Sequence, residues 1–432
     1  MKIYEYPKRN KWRLLVQRPA NSAEIAEDRV LQILAAVRNK GDAAVRAFNR
    51  KFDGVDLREL LVSEAEIAAA GQNISAELKA AIQLAIDNIT KFHAAQLHSE
   101  VVIETSPGVR CWRRSVPIER VGLYIPGGTA PLFSTVLMLA IPAKIAGCPE
   151  IILCSPPQKN GRLHPLILYV AKITGVDKMF KVGGAQAVAA MAYGTESIPG
   201  VDKIFGPGNS WVTMAKQLVN RQGVAIDLPA GPSEVAVIAD ESAEPEFVAL
   251  DLLSQAEHGT DSQVMLITSS PAIVKAVESK INELLPFLSR KDIAEQALAN
   301  SRAILLKDPA EMMEFANAYA PEHLIIMTEN AVALSAKVIN AGSVFIGAYT
   351  PESAGDYASG TNHTLPTYGY ARSLSGVSVD SFVKKITFQT ISEKGLRSIG
   401  SAVECMAAAE GLDAHQTAVS LRLAALEKGS AR

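Results

Sequence analysis

The segment spanning residues 247–259 carries the polar side chains with the clearest chemical potential. At 3.6 residues per turn of helix, Asp251, Gln255 and His258 share one face beside an apolar stripe. An amide and an imidazole at this spacing can point at one position, which suits a metal ion. The same pattern is typical of a capped helix end with a hydrogen-bonded buried histidine, because glutamine is a rare metal ligand. The segment alone leaves both interpretations open.

A second candidate pair is Glu322 and His323, which follow Pro321 directly. Successive side chains in a turn diverge, so this carboxylate and imidazole could act as separate acid-base groups. A solvated surface turn is the alternative. Residues 347–372 form a long Gly-, Pro- and Tyr-rich segment with neither helical nor strand periodicity, and they contain Glu352, Asp356 and His363. Segments of this length inside an enzyme are usually functional or disordered, and the aromatic content favours function.

The C-terminus adds two ionisable groups. Glu410 continues an apolar stripe formed by Ile399, Val403 and Met406, and a carboxylate on a buried face needs a partner. His415 falls in the first turn of the last predicted helix. A helix N-terminus disfavours the imidazolium and leaves a neutral ring that can bind a cation.

The elements that would position these groups follow an α/β rhythm. Residues 21–105 are mostly helical in pattern, and after Pro107 short apolar runs alternate with helical stretches, as in βαβ units with a parallel sheet. Strands are predicted at 121–125, 150–155, 179–182, 203–205, 225–227, 234–239, 264–268, 303–306 and 343–346. Two helices, over about 393–410 and 414–427, close the chain.

Glycine-rich turns follow three of these strands, at 126–129, 183–186 and 206–209. Turns of this kind at the carboxyl ends of parallel strands can hold a phosphate with backbone N–H groups. They also serve simple chain reversal, and the usual G-x-G-x-x-G fingerprint is absent. The pattern leaves a nucleotide site and plain turns as alternatives.

Composition narrows the class of protein. A chain of 432 residues predicts two or three domains, and a net charge of −2 argues against nucleic acid or anionic membrane as a partner. The N-terminus lacks the apolar region of a signal peptide and no apolar run reaches membrane-spanning length, so we expect a cytoplasmic protein. The four cysteines form no C-x-x-C pair and are expected to be buried apolar groups.

Several sequence strings closely resemble the histidinol dehydrogenase family. The resemblance covers nearly the whole chain and is carried by Val121-Gly-Leu-Tyr-Ile-Pro-Gly-Gly128, Gly206-Pro-Gly-Asn209, Pro229-Ala-Gly-Pro-Ser-Glu234, Leu253-Ser-Gln-Ala-Glu-His-Gly259, Pro321-Glu-His-Leu324 and Pro351-Glu-Ser-Ala-Gly-Asp-Tyr-Ala-Ser-Gly-Thr-Asn-His363. It implies two Rossmann-like, aldehyde-dehydrogenase-like α/β domains with small helical N- and C-terminal extensions. The implied regions are an N-terminal arm (1–20), a metal-bearing domain (21–105 with 234–375), a dinucleotide domain (106–233) and an extension (376–432) that crosses to a partner subunit.

Residue roles follow from the same resemblance. The family's zinc ligands match Gln255, His258, Asp356 and His415, and its catalytic pair matches Glu322 and His323. Contacts to NAD match Tyr124, Gln186 and Asn209. Substrate contacts match Ser233, His363 and Glu410, together with the four zinc ligands and His323. The family is a homodimer with shared active sites.

The reaction that the resemblance implies is oxidation of L-histidinol to L-histidine through histidinal, with two NAD reduced, in histidine biosynthesis. Zinc is expected to orient the substrate, His323 to take the alcohol proton and Glu322 to activate water. A thioester route through Cys148 or Cys154 is disfavoured, because neither has a neighbouring His or Lys in the sequence. Three alternatives are a relative that oxidises another primary alcohol, a zinc hydrolase using His258, Asp356, His415 and Glu322, and a non-catalytic nucleotide-binding module.

Overall fold

A computed structural model describes residues 1–18, 27–127, 131–229 and 231–430. The first residues of the segment 21–105, predicted to be mostly helical, and the end of the predicted turn at 126–129 lie outside these residues. The chain divides into two compact units, one formed by Met1–Gln96 with Ile118–Phe382 and the other by Leu97–Pro117 with Val383–Arg432. None of the described helices has the length and apolar character needed to cross a bilayer.

The strands in the described residues are, in chain order, β1 (Lys2–Glu5), β2 (Val102–Ser106), β3 (Val109–Pro117), β4 (Arg120–Tyr124), β5 (Glu150–Ser155), β6 (Lys178–Lys181), β7 (Lys203–Phe205), β8 (Ala225–Ile226), β9 (Glu234–Ala239), β10 (Gln263–Thr268), β11 (Arg302–Leu305), β12 (His323–Met327), β13 (Ser343–Ile346) and β14 (Val383–Ile391). The helices are α1 (Arg9–Leu15), α2 (Glu27–Phe48), α3 (Glu64–Ala69), α4 (Ala76–Ala94), α5 (Phe133–Ala146), α6 (Pro165–Ile173), α7 (Gly184–Tyr193), α8 (Ser210–Asn220), α9 (Pro245–Ala256), α10 (Pro271–Leu284), α11 (Lys291–Ala299), α12 (Pro309–Tyr319), α13 (Ala331–Ser335), α14 (Glu352–Tyr357), α15 (Glu393–Ala409) and α16 (Asp413–Ser430).

The larger sheet of the first unit is parallel and has the strand order β1-β11-β10-β9-β12-β13. Its central strand β9 alternates between two cores, as the period of two requires. Val235, Val237 and Ala239 pack with α9, α10 and α11, whereas Ala236 and Ile238 pack with α12 and the N-terminal α1. The N-terminal residues predicted to form an arm therefore contribute both a strand and a helix to this layer.

The second parallel sheet has the order β6-β5-β4-β7-β8. The predicted grouping placed residues 21–105 with 234–375, but the buried side chains of α2 and α4 belong to the clusters of this five-stranded sheet. The predicted turn at 206–209, which follows β7, needs a glycine at Gly206. Its φ is +121°, and a Cβ there would collide with the carbonyl oxygen of Tyr124.

The second unit contains an antiparallel sheet, β14-β3-β2, and the helix pair α15 and α16. Helix α15 begins after Ser392, whose hydroxyl accepts a hydrogen bond from the Gly395 amide at 3.1 Å. The predicted buried stripe of α15 is wrong for the single chain, because Met406 is 66% exposed and Glu410 is exposed as well.

The predicted fold class is confirmed, since two parallel sheets are covered by helices and helices stand at both ends of the chain. Two predictions about the site segments are wrong. The turn predicted at Glu322 and His323 and its alternative, a solvated surface turn, are both wrong, because His323 begins the buried strand β12 and both residues are buried. Residues 347–372 are not entirely irregular, because Glu352 and Asp356 lie on the short helix α14.

Candidate active site

The amino end of β9 meets the amino end of β12 in the larger sheet. Register pairs His323 with Val235, so the peptide of Glu234 lies beside Glu322 and His323. The Glu234 N–H donates to Oε2 of Glu322 at 2.9 Å, and Nδ1 of His323 lies 3.1 Å from the Glu234 carbonyl oxygen. A carbonyl can only accept, so Nδ1 must carry the proton and Nε2 is left with its lone pair.

His323 is suited to act as a base. Its side chain is 3% exposed, and burial lowers its pKa to about 4, so the ring is neutral at neutral pH. Nε2 has no hydrogen-bond partner among the described residues. This nitrogen lies 3.8 Å from Oε1 of Glu352 and 3.9 Å from Oδ1 of Asp356. An unpartnered buried acceptor of this kind can take a proton from a bound ligand.

Glu322 is also buried, and burial raises its pKa well above the usual glutamate value, with the carboxylates of Glu234, Asp356 and Glu352 adding to the shift. A carboxylate that is hard to ionise becomes a stronger base once it has lost its proton. The Glu234 amide fixes one of its oxygens. Its other oxygen is available for a water molecule.

Side chains on the polar face predicted for residues 247–259 form hydrogen bonds with Glu352 of helix α14. Burial raises the pKa of Asp251 to about 7, and the nearby backbone amide of Glu352 opposes that shift. The Ser254 hydroxyl donates to Oε2 of Glu352 at 3.0 Å. With its amide nitrogen facing Glu352, Gln255 donates to both carboxylate oxygens at 2.7 and 3.1 Å. The amide oxygen of Gln255 is then free to bind another group. The alternative of a hydrogen-bonded buried histidine is wrong for His258, which is exposed, and the ligand interpretation of this face stays a prediction.

Three side chains from α14 and the end of α9 converge as candidate metal ligands. Helix α9 ends at Ala256, and His258 lies in the turn after it. One ligand atom each from His258, Glu352 and Asp356 lies within 4.8 Å of the others. Glu352 and Asp356 are four residues apart, which places them on one face of α14.

The charge balance of this cluster calls for a cation. Glu322, Glu352 and Asp356 pair only with the imidazoles of His323 and His363, and no lysine or arginine pairs with them in the described part of the chain. Burial and then the Asp356 charge raise the pKa of Glu352 to about 9. Uncompensated buried carboxylates are costly, and a divalent cation would offset that cost. The residues present therefore fit a metal ion.

The structure brings most of the predicted site residues to this position. His363 lies with Nδ1 3.0 Å from the carbonyl oxygen of Asp356 and Nε2 3.5 Å from the Thr135 hydroxyl. Ser233 immediately precedes Glu234, and its carbonyl accepts a hydrogen bond from the Gln263 amide at 3.1 Å. Glu410 and His415 belong to the second unit, and both are exposed there.

A cavity of about 810 Å³ opens at the carboxyl edge of the five-stranded sheet. All three residues predicted to contact a dinucleotide, Tyr124, Gln186 and Asn209, line it. The strand order turns back between β4 and β7, and Tyr124 and Asn209 lie on the two sides of that crevice. Open parallel sheets bind ligands at such positions.

Polar atoms in this cavity lack partners. Oδ2 of Asp53, Oγ of Ser155 and Nε2 of Gln186 are buried and make no hydrogen bond among the described residues. Burial raises the pKa of Asp53 to about 6. Donors and acceptors left free in one cavity indicate a polar ligand there.

Sequence reasoning named Glu352 only as one ionisable group of the segment 347–372, and it missed Asp53 and Ser155. The four-residue spacing of Glu352 and Asp356 was a usable signal, because it matches one helical turn. No comparable signal marks Asp53 or Ser155, because only the fold brings the segment after α2 and the end of β5 to the same cavity.

Comparisons with known proteins cover almost the whole chain. The family model described as histidinol dehydrogenase matches residues 16–423. A histidinol dehydrogenase of Bacteroides fragilis (strain YCH46) is 59% identical over 428 residues, covering 99% of this chain and 100% of that protein. The Salmonella typhimurium histidinol dehydrogenase is 53% identical over 419 residues, covering 96% of each.

Two solved structures show which known folds this chain resembles. The crystal structure of histidinol dehydrogenase from Elizabethkingia anophelis matches with a TM-score of 0.97 and 53% identity, covering 99% of both chains. An NAD-dependent aldehyde dehydrogenase from Sinorhizobium meliloti matches with a TM-score of 0.50 at 14% identity, over 85% of this chain and 87% of that one. The second match shows likeness of fold alone and confirms the aldehyde-dehydrogenase-like architecture. From the family model over most of its length and from relatives that it covers almost completely, this chain belongs to the histidinol dehydrogenase family.

Proposed function

We propose that this chain is an NAD-dependent, zinc-containing enzyme that oxidises L-histidinol to L-histidine through histidinal, in the cytoplasm, as part of histidine biosynthesis. One observation carries the proposal. Nε2 of His323 is a neutral base that has no hydrogen-bond partner among the described residues, and its neighbours are the carboxylates of Glu352 and Asp356. A base beside a cation-requiring cluster fits oxidation of a primary alcohol that is oriented by a metal.

Zinc would be held by Gln255, His258 and Asp356, with His415 as the fourth ligand. The hydrogen bonds from Gln255 to Glu352 support this assignment, since they leave the amide oxygen to face the metal. When bound, zinc would supply orientation and charge for a substrate amine and imidazole. His415 and Glu410 are exposed in the second unit, which is compatible with a homodimer in which they complete the partner's site.

The residues of the chain have separate tasks in the two oxidations. In the first, Nε2 of His323 accepts the hydroxyl proton while the carbinol hydride leaves to NAD, so the alcohol becomes an aldehyde. In the second, Glu322 takes a proton from water as the water oxygen bonds to the aldehyde carbon. The hydrate then loses its hydride to a second NAD and yields the carboxylic acid.

Neither of the two cysteines in the first unit, Cys148 and Cys154, is suited to form a thioester with the substrate. Cys148 is 4% and Cys154 0% exposed, and burial raises the pKa of Cys148 to about 11 and that of Cys154 further. A buried thiol that resists ionisation is a poor nucleophile. Hydration of the aldehyde by Glu322 is therefore the route that we favour.

The decisive experiment mixes purified protein with L-histidinol and NAD and counts the products. Two NADH for each histidine formed is the expected result. The zinc hydrolase alternative predicts no NADH and no change in melting temperature with NAD. The alternative that the protein is a relative acting on another substrate predicts that a different primary alcohol turns over while histidinol does not.

Glu322→Gln is expected to slow aldehyde oxidation more than alcohol oxidation. The amide cannot accept the water proton, and loss of a general base costs about 10²- to 10⁴-fold. Each half-reaction would be measured separately, starting from histidinol or histidinal. Glu329→Gln, an exposed site beyond the other end of β12, is the matched control and should leave both rates unchanged. Equal losses in both half-reactions of Glu322→Gln would contradict the assigned role.

Asn209→Asp is expected to raise the KM for NAD without destabilising the fold. The Asn209 side-chain oxygen caps α8 by accepting from the amides of Trp211 and Val212, both at 3.1 Å, and aspartate caps equally well. A new charge near the dinucleotide phosphates costs roughly 1–4 kcal/mol, so the KM should rise at least about fivefold. Steady-state kinetics and melting temperature check both parts. An unchanged KM would place the dinucleotide elsewhere.

A further inference from the structure

The guanidinium of Arg18 makes an unusually complete set of contacts inside the first unit. Nε and Nη2 donate to the two carboxylate oxygens of Glu234 at 2.8 and 2.7 Å, and both side chains are buried, at 7% and 1% exposure. Nη1 donates to the carbonyls of Val16 and Tyr319 at 3.1 and 2.8 Å, and Nη2 also reaches that of Ala320 at 3.2 Å. These contacts use all five N–H donors of the side chain.

The groups that Arg18 binds surround the catalytic pair. Glu234 supplies the peptide N–H and carbonyl that hold Glu322 and His323. Ala320 adopts a left-handed conformation, with φ +53° and ψ 65°, two residues before Glu322. A non-glycine residue in that region is strained and needs support from its surroundings, which the guanidinium provides at the Ala320 carbonyl. Arg18 thus ties the start of β9 to the turn that leads into β12.

We propose that Arg18 is a positioning residue, which acts through Glu234 to fix the orientation of Glu322 and the Nδ1–H tautomer of His323. Without it the Glu234 carboxylate keeps only the hydrogen bond from the Tyr368 amide, at 2.8 Å, among the contacts described. A buried carboxylate left so poorly compensated must move or take up a proton. The Glu234 peptide moves with it, and a displacement of about 1 Å at a reacting group can cost 10²-fold in rate.

The test removes the ion pair without leaving a lone buried charge. Arg18→Met/Glu234→Met replaces both partners by apolar side chains of similar length, which is often tolerated in a folded interior. Arg18→Lys is the second variant, because it retains the charge and loses the planar fork. Arg9→Met is the matched control, since Arg9 lies in the same N-terminal segment and its ion pair with Glu314 is exposed.

We expect the double variant to retain zinc and a near wild-type KM for histidinol while kcat falls by about 10²-fold. Arg18→Lys should lose less, and Arg9→Met nothing. Nitrogen NMR with ¹⁵N-histidine should show the Nδ1–H tautomer of His323 in the wild type and a mixture of tautomers in the double variant. A double variant or Arg18→Lys with wild-type kcat and an unchanged tautomer would overturn the proposal.

This inference rests on the proposed function only for its kinetic part. The tautomer measurement needs neither histidinol nor turnover. Wild-type protein that fails to oxidise histidinol would overturn the reaction assigned above. In that case, an unchanged tautomer in the variants would still overturn the role of Arg18, and a changed one would still support it.

Discussion

His323→Asn should lower the rate of histidinol oxidation by about 10²- to 10⁴-fold, the usual loss for a missing general base. Asparagine can keep the hydrogen bond to the Glu234 carbonyl through its amide nitrogen, so the site should stay assembled. It has no nitrogen lone pair able to take the alcohol proton. The loss should fall on kcat, because the substituted atom acts in the transition state.

Single-turnover formation of NADH from histidinol measures this step. Zinc content and melting temperature of the variant would be determined alongside, and both are expected to match the wild type. A variant with full metal content and an undiminished first oxidation would remove His323 from the base role. Burial lowers the pKa of His323 to about 4, so the ring stays neutral well below neutral pH. The base therefore needs no deprotonating neighbour.

Removal of the metal should abolish turnover, and zinc or a similar divalent ion should restore it. The reason lies in the carboxylates of Glu322, Glu352 and Asp356, which have no cationic partner except imidazoles among the described residues. A ligand that binds only the folded protein also stabilises it, by about 4 kcal/mol when its free concentration is about 1,000 times Kd. The apoprotein should therefore unfold at a lower temperature than the zinc-loaded protein.

Dialysis against a chelator, metal analysis and thermal unfolding check this prediction without depending on activity alone. Asp356→Asn should lose zinc and behave like the apoprotein. Asp292→Asn, an exposed site in the first turn of α11, is the control and should bind zinc normally. Identical unfolding temperatures with and without chelator, together with full activity, would contradict a metal at this site.

Much of the fold could be predicted from local pattern. Strand predictions at 150–155, 203–205, 234–239 and 343–346 coincide with β5, β7, β9 and β13. Those runs are short, apolar and bounded by turn residues, so each carries its own signal. The sequence does not predict β12, although this strand is as buried as β9, because Pro321 and Glu322 precede it without a break and its first residue is the polar His323, a pattern typical of a turn.

The candidate site could be predicted only in part. The resemblance to the family predicted which residues belong to the site and which role each of them has. Their contacts could not be read from the sequence, because α14 has six residues and shows no helical periodicity against its Gly and Pro surroundings. Glu352 therefore remained one ionisable group among several until α14 placed it beside Gln255.

The sequence by itself determined the α/β class and the family, and it named the residues predicted to carry the chemistry, since these depend on local pattern and on quoted strings. The tertiary structure decided which atoms of those residues are free to react. The hydrogen bond from the Glu234 amide to the Glu322 side chain joins residues that are 88 positions apart in the sequence. The hydrogen bond from Arg18 to Glu234 joins residues that are 216 positions apart. Contacts between residues so distant in sequence leave no local pattern, yet they fix the proton on Nδ1 of His323 and leave Nε2 as the base.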